Sequence, residues 1–220
     1  MNDMLSILAA PVETLEKIAA RPRWLLPILF CTTTFFLLLW LGGCWQNLSA
    51  GLTWSSLLGP ALISPVIVGI VSLSSTAFVF LMNMILGGTA DHRTKFKTLF
   101  SVNVNCGIVF LLGEIVNFLL VRSNLLAELR FALPNRFPTG MDVFLLGASD
   151  PNPYLLVILH GTSVFVVWYL IVLAKGVRFV TGSSKVRASI IVTALWCVVV
   201  GFALGIIYSL GGGTTIHILM

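Results

Sequence analysis

The chain has 220 residues, of which 58% are apolar and only 10% are charged, and its formal net charge is +5. A typical soluble domain carries about 25% charged residues, so these few charges cannot cover a surface that faces water. The composition therefore excludes an ordinary soluble enzyme and indicates an integral membrane protein, a single domain over residues 1–220.

The N-terminal segment predicts an amphipathic helix over about 4–20. Its apolar residues recur at the three- and four-residue steps of one helical face: Leu5, Leu8, Val12, Leu15 and Ile18. Pro11 is expected to divide this helix into two shorter pieces. A helix of this kind beside a first span is expected to lie in the membrane interface. The alternative is that it docks on the cytoplasmic face of the bundle itself.

Five apolar stretches follow, and each is long enough to cross a bilayer, which takes about 20 residues in a helix. They are predicted at about 24–42, 61–86, 99–121, 154–175 and 188–209. The longest connection, 122–153, contains several prolines and is expected to be irregular. The predicted fold is an all-α integral membrane protein, a bundle of five transmembrane helices with an N-terminal amphipathic interfacial helix.

Lys and Arg residues predict the orientation. With the N-terminus in the cytoplasm, only Arg122, Arg130 and Arg136 of the 13 basic residues fall on the opposite side. Cytoplasmic loops of membrane proteins carry such an excess of positive charge. The cytoplasmic set includes the residues between the second and third spans and between the fourth and fifth: Arg93, Lys95, Lys97, Lys175, Arg178, Lys185 and Arg187. The membrane topology thus explains the net positive charge, and no nucleic-acid partner is predicted.

A few polar residues lie inside the predicted spans. Glu114 is the only acidic one, and a carboxyl group at that depth must be protonated or paired. Asn103, Gly107 and Asn117 share one face of the same helix, and His160 in the fourth span is expected at a similar depth to Glu114. One interpretation is a buried hydrogen-bonded network that fixes helix packing. The other is a path for an ion, a proton or a substrate.

The fifth predicted span has a small residue at every fourth position: Ser189, Thr193, Cys197, Gly201, Gly205 and Ser209. Small residues allow another helix backbone to approach closely. The pattern predicts a helix-packing interface. The pattern leaves three alternatives for its partner, which are a helix of this chain, a second copy and another membrane protein.

Motifs of enzyme chemistry are not found in the sequence. It contains no G-x-S-x-G, no H-E-x-x-H and no dinucleotide fingerprint. The four cysteines show neither a disulfide framework nor the spacing of metal ligands, so we predict no metal and no cofactor. An alternative is that His160 ligates haem or a pigment, although bis-histidine haem needs a second histidine within the spans.

Several short segments occur in an order that resembles the bacterial branch of the Yip family, the Ypt/Rab-interacting proteins. They are APVETLEKI at 10–18, RPRWLLP at 21–27, GG at 87–88, FKTLFSV at 96–102, VVWYL at 166–170 and SKVRA at 184–188. The resemblance covers most of the chain and implies five spans with a cytoplasmic N-terminus. In eukaryotes, members of the family bind small GTPases and act in vesicle traffic and membrane shaping. They also carry a long cytoplasmic N-terminal region that we do not expect here, so GTPase binding is not carried over. The family offers no catalytic residues.

Together, the residues and the resemblance predict a non-enzymatic multi-pass protein of a bacterial inner membrane, with a periplasmic C-terminus. It is expected to act as an accessory, scaffold or membrane-organising subunit. The expected partners are membrane lipids and other integral membrane proteins, or a second copy. The alternative functions are a small transporter or channel component that uses the Glu114 network, and a haem- or pigment-binding subunit that uses His160.

Overall fold

The computed structural model of the chain describes residues 2–46, 54–86, 92–122, 140–141, 144 and 152–209. Eight α-helices occupy these residues: α1 Asn2–Ala9, α2 Pro11–Ala20, α3 Leu25–Gln46, α4 Trp54–Ile85, α5 His92–Arg122, α6 Pro153–His160, α7 Val164–Thr181 and α8 Lys185–Ser209. Most of the predicted loop 122–153 lies outside the described residues.

Four of these helices are long and apolar enough to cross a membrane. They are α4, α5, α7 and α8, over Leu58–Ile85, Lys95–Leu120, Val164–Thr181 and Lys185–Ile206. A shorter apolar stretch, Leu25–Leu41, belongs to α3. The chain is therefore an all-helical, multi-pass membrane protein.

Helix α5 is the centre of the bundle. It packs against α3, α4 and α7, and it is far more buried than the other three long apolar helices. Because Asn103 contacts Tyr169 while Gly113 lies against Phe165, α5 and α7 run antiparallel. The outer faces of α4, α7 and α8 carry many exposed large apolar residues. Such faces suit contact with lipid, since every backbone polar group is satisfied inside its helix.

The predicted fourth span, about 154–175, is not one helix. α6 ends at His160, and the long helix α7 begins only at Val164. The Ser163 hydroxyl caps α7 by accepting a hydrogen bond from the Val166 N–H at 3.2 Å. The indole N–H of Trp196 on α8 donates to the Gly161 carbonyl at 2.8 Å. These bonds stabilise the break because helix ends otherwise leave backbone groups unpaired.

Helices α1 and α2 pack on the bundle at the ends of α5 and α7. Thr14, Leu15 and Ile18 of α2 are buried, and so is Ile7 of α1. The Thr14 hydroxyl shares a hydrogen bond of 2.8 Å with the Ser6 hydroxyl across the break between the two helices. The apolar side of α2 therefore lies in the protein interior. This is the docked arrangement, and it replaces the expectation that the apolar face points into the membrane interface.

The basic residues collect at one end of the bundle. α7 ends and α8 begins there, joined by the turn of residues 182–184, and α5 begins there because it is antiparallel to α7. The start of α3 is at the same end, since Trp24 contacts Phe100 edge to face and the Asn105 side chain donates to the Arg23 carbonyl. We call this the basic end, after its residues Lys17, Arg21, Arg23, Arg93, Lys95, Lys97, Lys175, Arg178, Lys185 and Arg187. The side chain of Arg93 lies outside the described residues.

Candidate functional site

Asn103 joins three helices in the middle of the bundle. Its amide nitrogen donates to the Ser75 and Thr76 hydroxyls of α4 at 2.7 and 3.0 Å, and approaches the Ser72 carbonyl at 3.2 Å. Its amide oxygen accepts a hydrogen bond from the Tyr169 hydroxyl of α7 at 2.9 Å. The Asn103 side chain thus fixes how α4 and α7 are rotated about α5.

The hydroxyls on α4 are arranged as acceptors for Asn103. Thr76 donates its own proton to the Ser72 carbonyl at 2.7 Å, and Ser75 donates to the Val71 carbonyl at 2.6 Å. A hydroxyl has one proton and two lone pairs. With the proton used inside α4, the lone pairs face the Asn103 amide, so the cluster is satisfied without water.

A cavity of about 330 Å³ lies beside this cluster, among α4, α5, α7, α8 and the break between α6 and α7. Its volume is at the lower end of the range for small-molecule sites, roughly 300–1,000 Å³. Ser72, Asn103 and Tyr169 form part of its wall, and Ser163 and Trp196 form another part. The rest of its lining is mostly apolar, so these polar groups stand out in its wall.

Three of the predicted network residues line this cavity: Asn103, Glu114 and Asn117. Gly107, which shares their face of α5, lines it too. Asn103 and Glu114 are separated by roughly 16 Å along the helix at 1.5 Å per residue, so they do not contact each other. Asn103 and Glu114 therefore line different parts of one cavity.

His160 ends α6, next to Gly161 in the cavity wall. Its side chain lies outside the described residues, so its expected place in a network with Glu114 stays a prediction. The described residues contain no group of three His, Cys, Asp or Glu placed to hold a metal ion.

Two important site residues, Tyr169 and Trp196, were missed by the sequence analysis. Aromatic residues of membrane proteins gather at the two membrane surfaces. A Tyr or Trp in the middle of a span needs a hydrogen-bond partner for its O–H or N–H when it is buried. Both residues lie in the middle of predicted spans, and this position was the available signal.

The predicted packing stripe on α8 faces outward. All six of its residues are exposed: Ser189, Thr193, Cys197, Gly201, Gly205 and Ser209. The buried residues of α8 lie on other faces: Ala188, Ile191, Val192 and Leu195. A Cβ added at Gly201 or Gly205 would meet no atom within 4 Å. Among the described helices, none covers the stripe along these two glycines.

The cysteines within the described residues are free thiols in different surroundings. Cys31 and Cys106 are buried, whereas Cys197 is exposed in the middle of the α8 stripe. The side chain of Cys44 lies outside the described residues. Cys197 is therefore a natural chemical probe of the stripe.

Comparison with known proteins gives one match. Residues 5–207 match the family model of the Yip1 domain. No curated protein and no solved structure matches the chain. The matched region runs from α1 to the last turn of α8 and agrees with the resemblance found in the short sequence segments. The chain therefore belongs to the Yip1 domain family.

Proposed function

We propose that this Yip1-domain protein is a non-enzymatic accessory or scaffold subunit that associates with other membrane proteins, or with a second copy, through the α8 stripe. The observation that carries the proposal is the exposure of all six small residues at four-residue spacing. Between helices in lipid, close van der Waals packing replaces the hydrophobic effect as the source of association. Gly201 and Gly205 are one turn apart on this stripe, and they allow the backbone of a second helix to approach closely.

The proposal includes a fifth span and an orientation. α3 has 22 residues, and a helix of that length is about 33 Å long, enough for a hydrocarbon core of about 30 Å. With the basic end in the cytoplasm, five spans place the N-terminus inside and the C-terminus outside. We infer that the membrane is a bacterial inner membrane, so the C-terminus is periplasmic.

If the chain associates through the stripe, the double variant Gly201→Leu, Gly205→Leu should form less of the complex. We expect the captured complex to fall by about tenfold or more, because two leucines hold the partner backbone away from α8. The measurement is crosslinking from Cys197 in native membranes, in a Cys44→Ser background. The short reagent carries a thiol-reactive group at one end and a photoactivatable group at the other, so it captures a partner with or without a cysteine. Because Cys31 and Cys106 are buried, Cys197 is the accessible thiol among the described cysteines.

The matched control is Gly69→Leu on α4. An added Cβ at Gly69 also meets no atom within 4 Å, so the chemical change is the same in a different place. This control should crosslink like the unchanged protein. If the double variant is captured as efficiently as the control, or if every preparation contains only an uncrosslinked monomer, the proposal is wrong.

The cavity supports a second candidate function, in which the protein is a small transporter or channel component. The observation is a carboxyl group, Glu114, in the wall of a cavity of about 330 Å³ that also presents Asn103 and Asn117. Ionisable residues inside membranes commonly mark ion or proton paths.

On this second function, Glu114→Gln is expected to lower the flux of protons or cations into proteoliposomes by about tenfold or more, because it removes the carboxyl group and keeps the shape. A pH-sensitive or cation-sensitive dye inside the vesicles measures the flux. Glu16→Gln is the control, since Glu16 is exposed on α2 and lies outside the cavity. A flux that is the same for Glu114→Gln and the control rejects this function.

A further inference from the structure

A second concave surface lies between α7 and α8 at the basic end. It is a groove of about 450 Å³. Three cations line it near the turn between the two helices: Lys175, Arg178 and Lys185. Farther along α7, its wall is apolar and includes Val167, Leu170 and Ile171. The groove is therefore basic where the helices meet the turn and apolar where they run into the membrane.

The positive charges of the groove are not neutralised by its own wall. No acidic residue lines the groove, and none of the three cations pairs with a described acidic side chain. Lys185 and Arg187 also lie in the first turn of α8, where no acidic residue accompanies them. The N-terminus of a helix carries a partial positive charge of its own, so cations are unfavourable there. An anion from outside the chain would stabilise this arrangement.

We propose that the groove binds one molecule of an anionic phospholipid. Its phosphate lies among Lys175, Arg178 and Lys185, and one acyl chain lies along the apolar wall. Guanidinium and ammonium groups bind phosphate oxygens through charge-assisted hydrogen bonds. Basic pockets between transmembrane helices on the cytoplasmic side are suited to anionic headgroups. Lipid is the solvent of this part of the protein, so its acyl chain is the apolar ligand that is always present.

This site is distinct from helix association, although the two adjoin. Ser189 and Thr193 belong to the α8 stripe and also line the groove, so the lipid covers the first part of the stripe. Cys197, Gly201 and Gly205 do not line the groove and remain open to a partner helix. Lipid binding and association are therefore separable by experiment.

The test uses the full chain, purified in mild detergent and delipidated. Native mass spectrometry counts bound lipid after addition of phosphatidylglycerol or phosphatidylcholine with identical acyl chains. We expect one retained phosphatidylglycerol and about 100-fold weaker retention of phosphatidylcholine, since each basic residue near an anionic lipid contributes roughly fivefold. Equal retention of the two lipids would overturn the proposal.

Two variants locate the site. Lys175→Gln, Arg178→Gln, Lys185→Gln removes the cations, and Ile171→Trp, on the α7 wall of the groove and outside the α8 stripe, fills the groove while keeping every charge. Both should lose the bound phosphatidylglycerol, with the same elution volume in gel filtration as the unchanged protein. The control, Lys17→Gln, Arg21→Gln, Arg23→Gln, removes three exposed charges at the same end and should retain the lipid. Retention by both test variants, or equal loss in the control, would contradict the assignment.

A competition arm distinguishes the lipid from a free anion. Inorganic phosphate at millimolar concentration should leave the phosphatidylglycerol bound, because it lacks the acyl chain that fills the apolar part of the groove. Displacement of the lipid by phosphate would show a simple anion site and reject the phospholipid. Crosslinking at Cys197 reads out association in the same variants, so failure of one proposal is distinguishable from failure of the other.

Discussion

Replacing Gly176 with leucine is expected to destabilise the folded bundle strongly. Gly176 of α7 is buried at the point where α2, α5 and α7 meet. A Cβ at this position would overlap the Cγ1 methyl of Val102 and lie 3.3 Å from the Cδ2 methyl of Leu15. Val102 is fully buried and β-branched, so its methyl group has no free rotamer to move into.

The expected cost of Gly176→Leu is about 3 kcal/mol or more, since overpacking a filled core typically costs 1–3 kcal/mol and here three helices must separate. Thermal unfolding in detergent measures it, with labelling of the buried thiol of Cys106 as the readout of opening. Gly201→Leu is the control, because its added side chain meets open space.

A rescue experiment tests the cause of this loss. Gly176→Ala alone should lower the free energy of unfolding. Adding Val102→Ala to this variant should lower it by less than Val102→Ala does in the unchanged protein. The reason is that shortening Val102 removes the overlapping methyl group, so the two changes are coupled. Strict additivity, or normal unfolding of Gly176→Leu, would show that the close approach of α5 and α7 at this site is not needed.

Replacing Asn103 with leucine is expected to lower the free energy of unfolding by about 2–4 kcal/mol. The substitution removes the contacts to Ser75, Thr76 and Tyr169, and interhelical hydrogen bonds in membrane proteins contribute on average about 0.6 and at most about 1.7 kcal/mol each. The α4 hydroxyls keep their bonds to backbone carbonyls of α4, so the main unpaired group is the Tyr169 hydroxyl. Unfolding in mixed micelles by added SDS measures the change.

Tyr169→Phe is the matched control for Asn103. It removes one hydrogen bond and should cost about 1 kcal/mol. The double variant Asn103→Leu, Tyr169→Phe should lose less unfolding free energy than the sum of the two single losses, because no hydroxyl is left unpaired. Unfolding of Asn103→Leu at the same SDS content as the unchanged protein would show that this cluster does not hold α4 and α7 on α5.

Much of the architecture was predictable from local features of the sequence. The low charge and long apolar stretches indicated a multi-pass membrane protein, and the Yip1 domain match confirmed the family. The basic residues between predicted spans do gather at one end, because each connection is short and neighbouring helices are antiparallel. The break in the fourth span was not predicted, because apolar residues continue on both sides of residues 161–163.

The candidate site was predictable only in part. The polar face of α5 was recognised from the spacing of Asn103, Glu114 and Asn117, and all three line the cavity. The partner of Asn103 was not recognised, because Tyr169 lies 66 residues away in the chain. No periodicity connects two residues at such a distance.

The sequence by itself determined the membrane class, the four-residue spacing of small residues on α8 and the segregation of positive charge. Only the tertiary structure decided which helical faces are covered. It buried the apolar side of α2 against α5 and α7, and it left the α8 stripe exposed. The physical reason is that lipid is as apolar as the protein interior, so an apolar residue in a span gives no signal of whether it faces a neighbouring helix or an acyl chain.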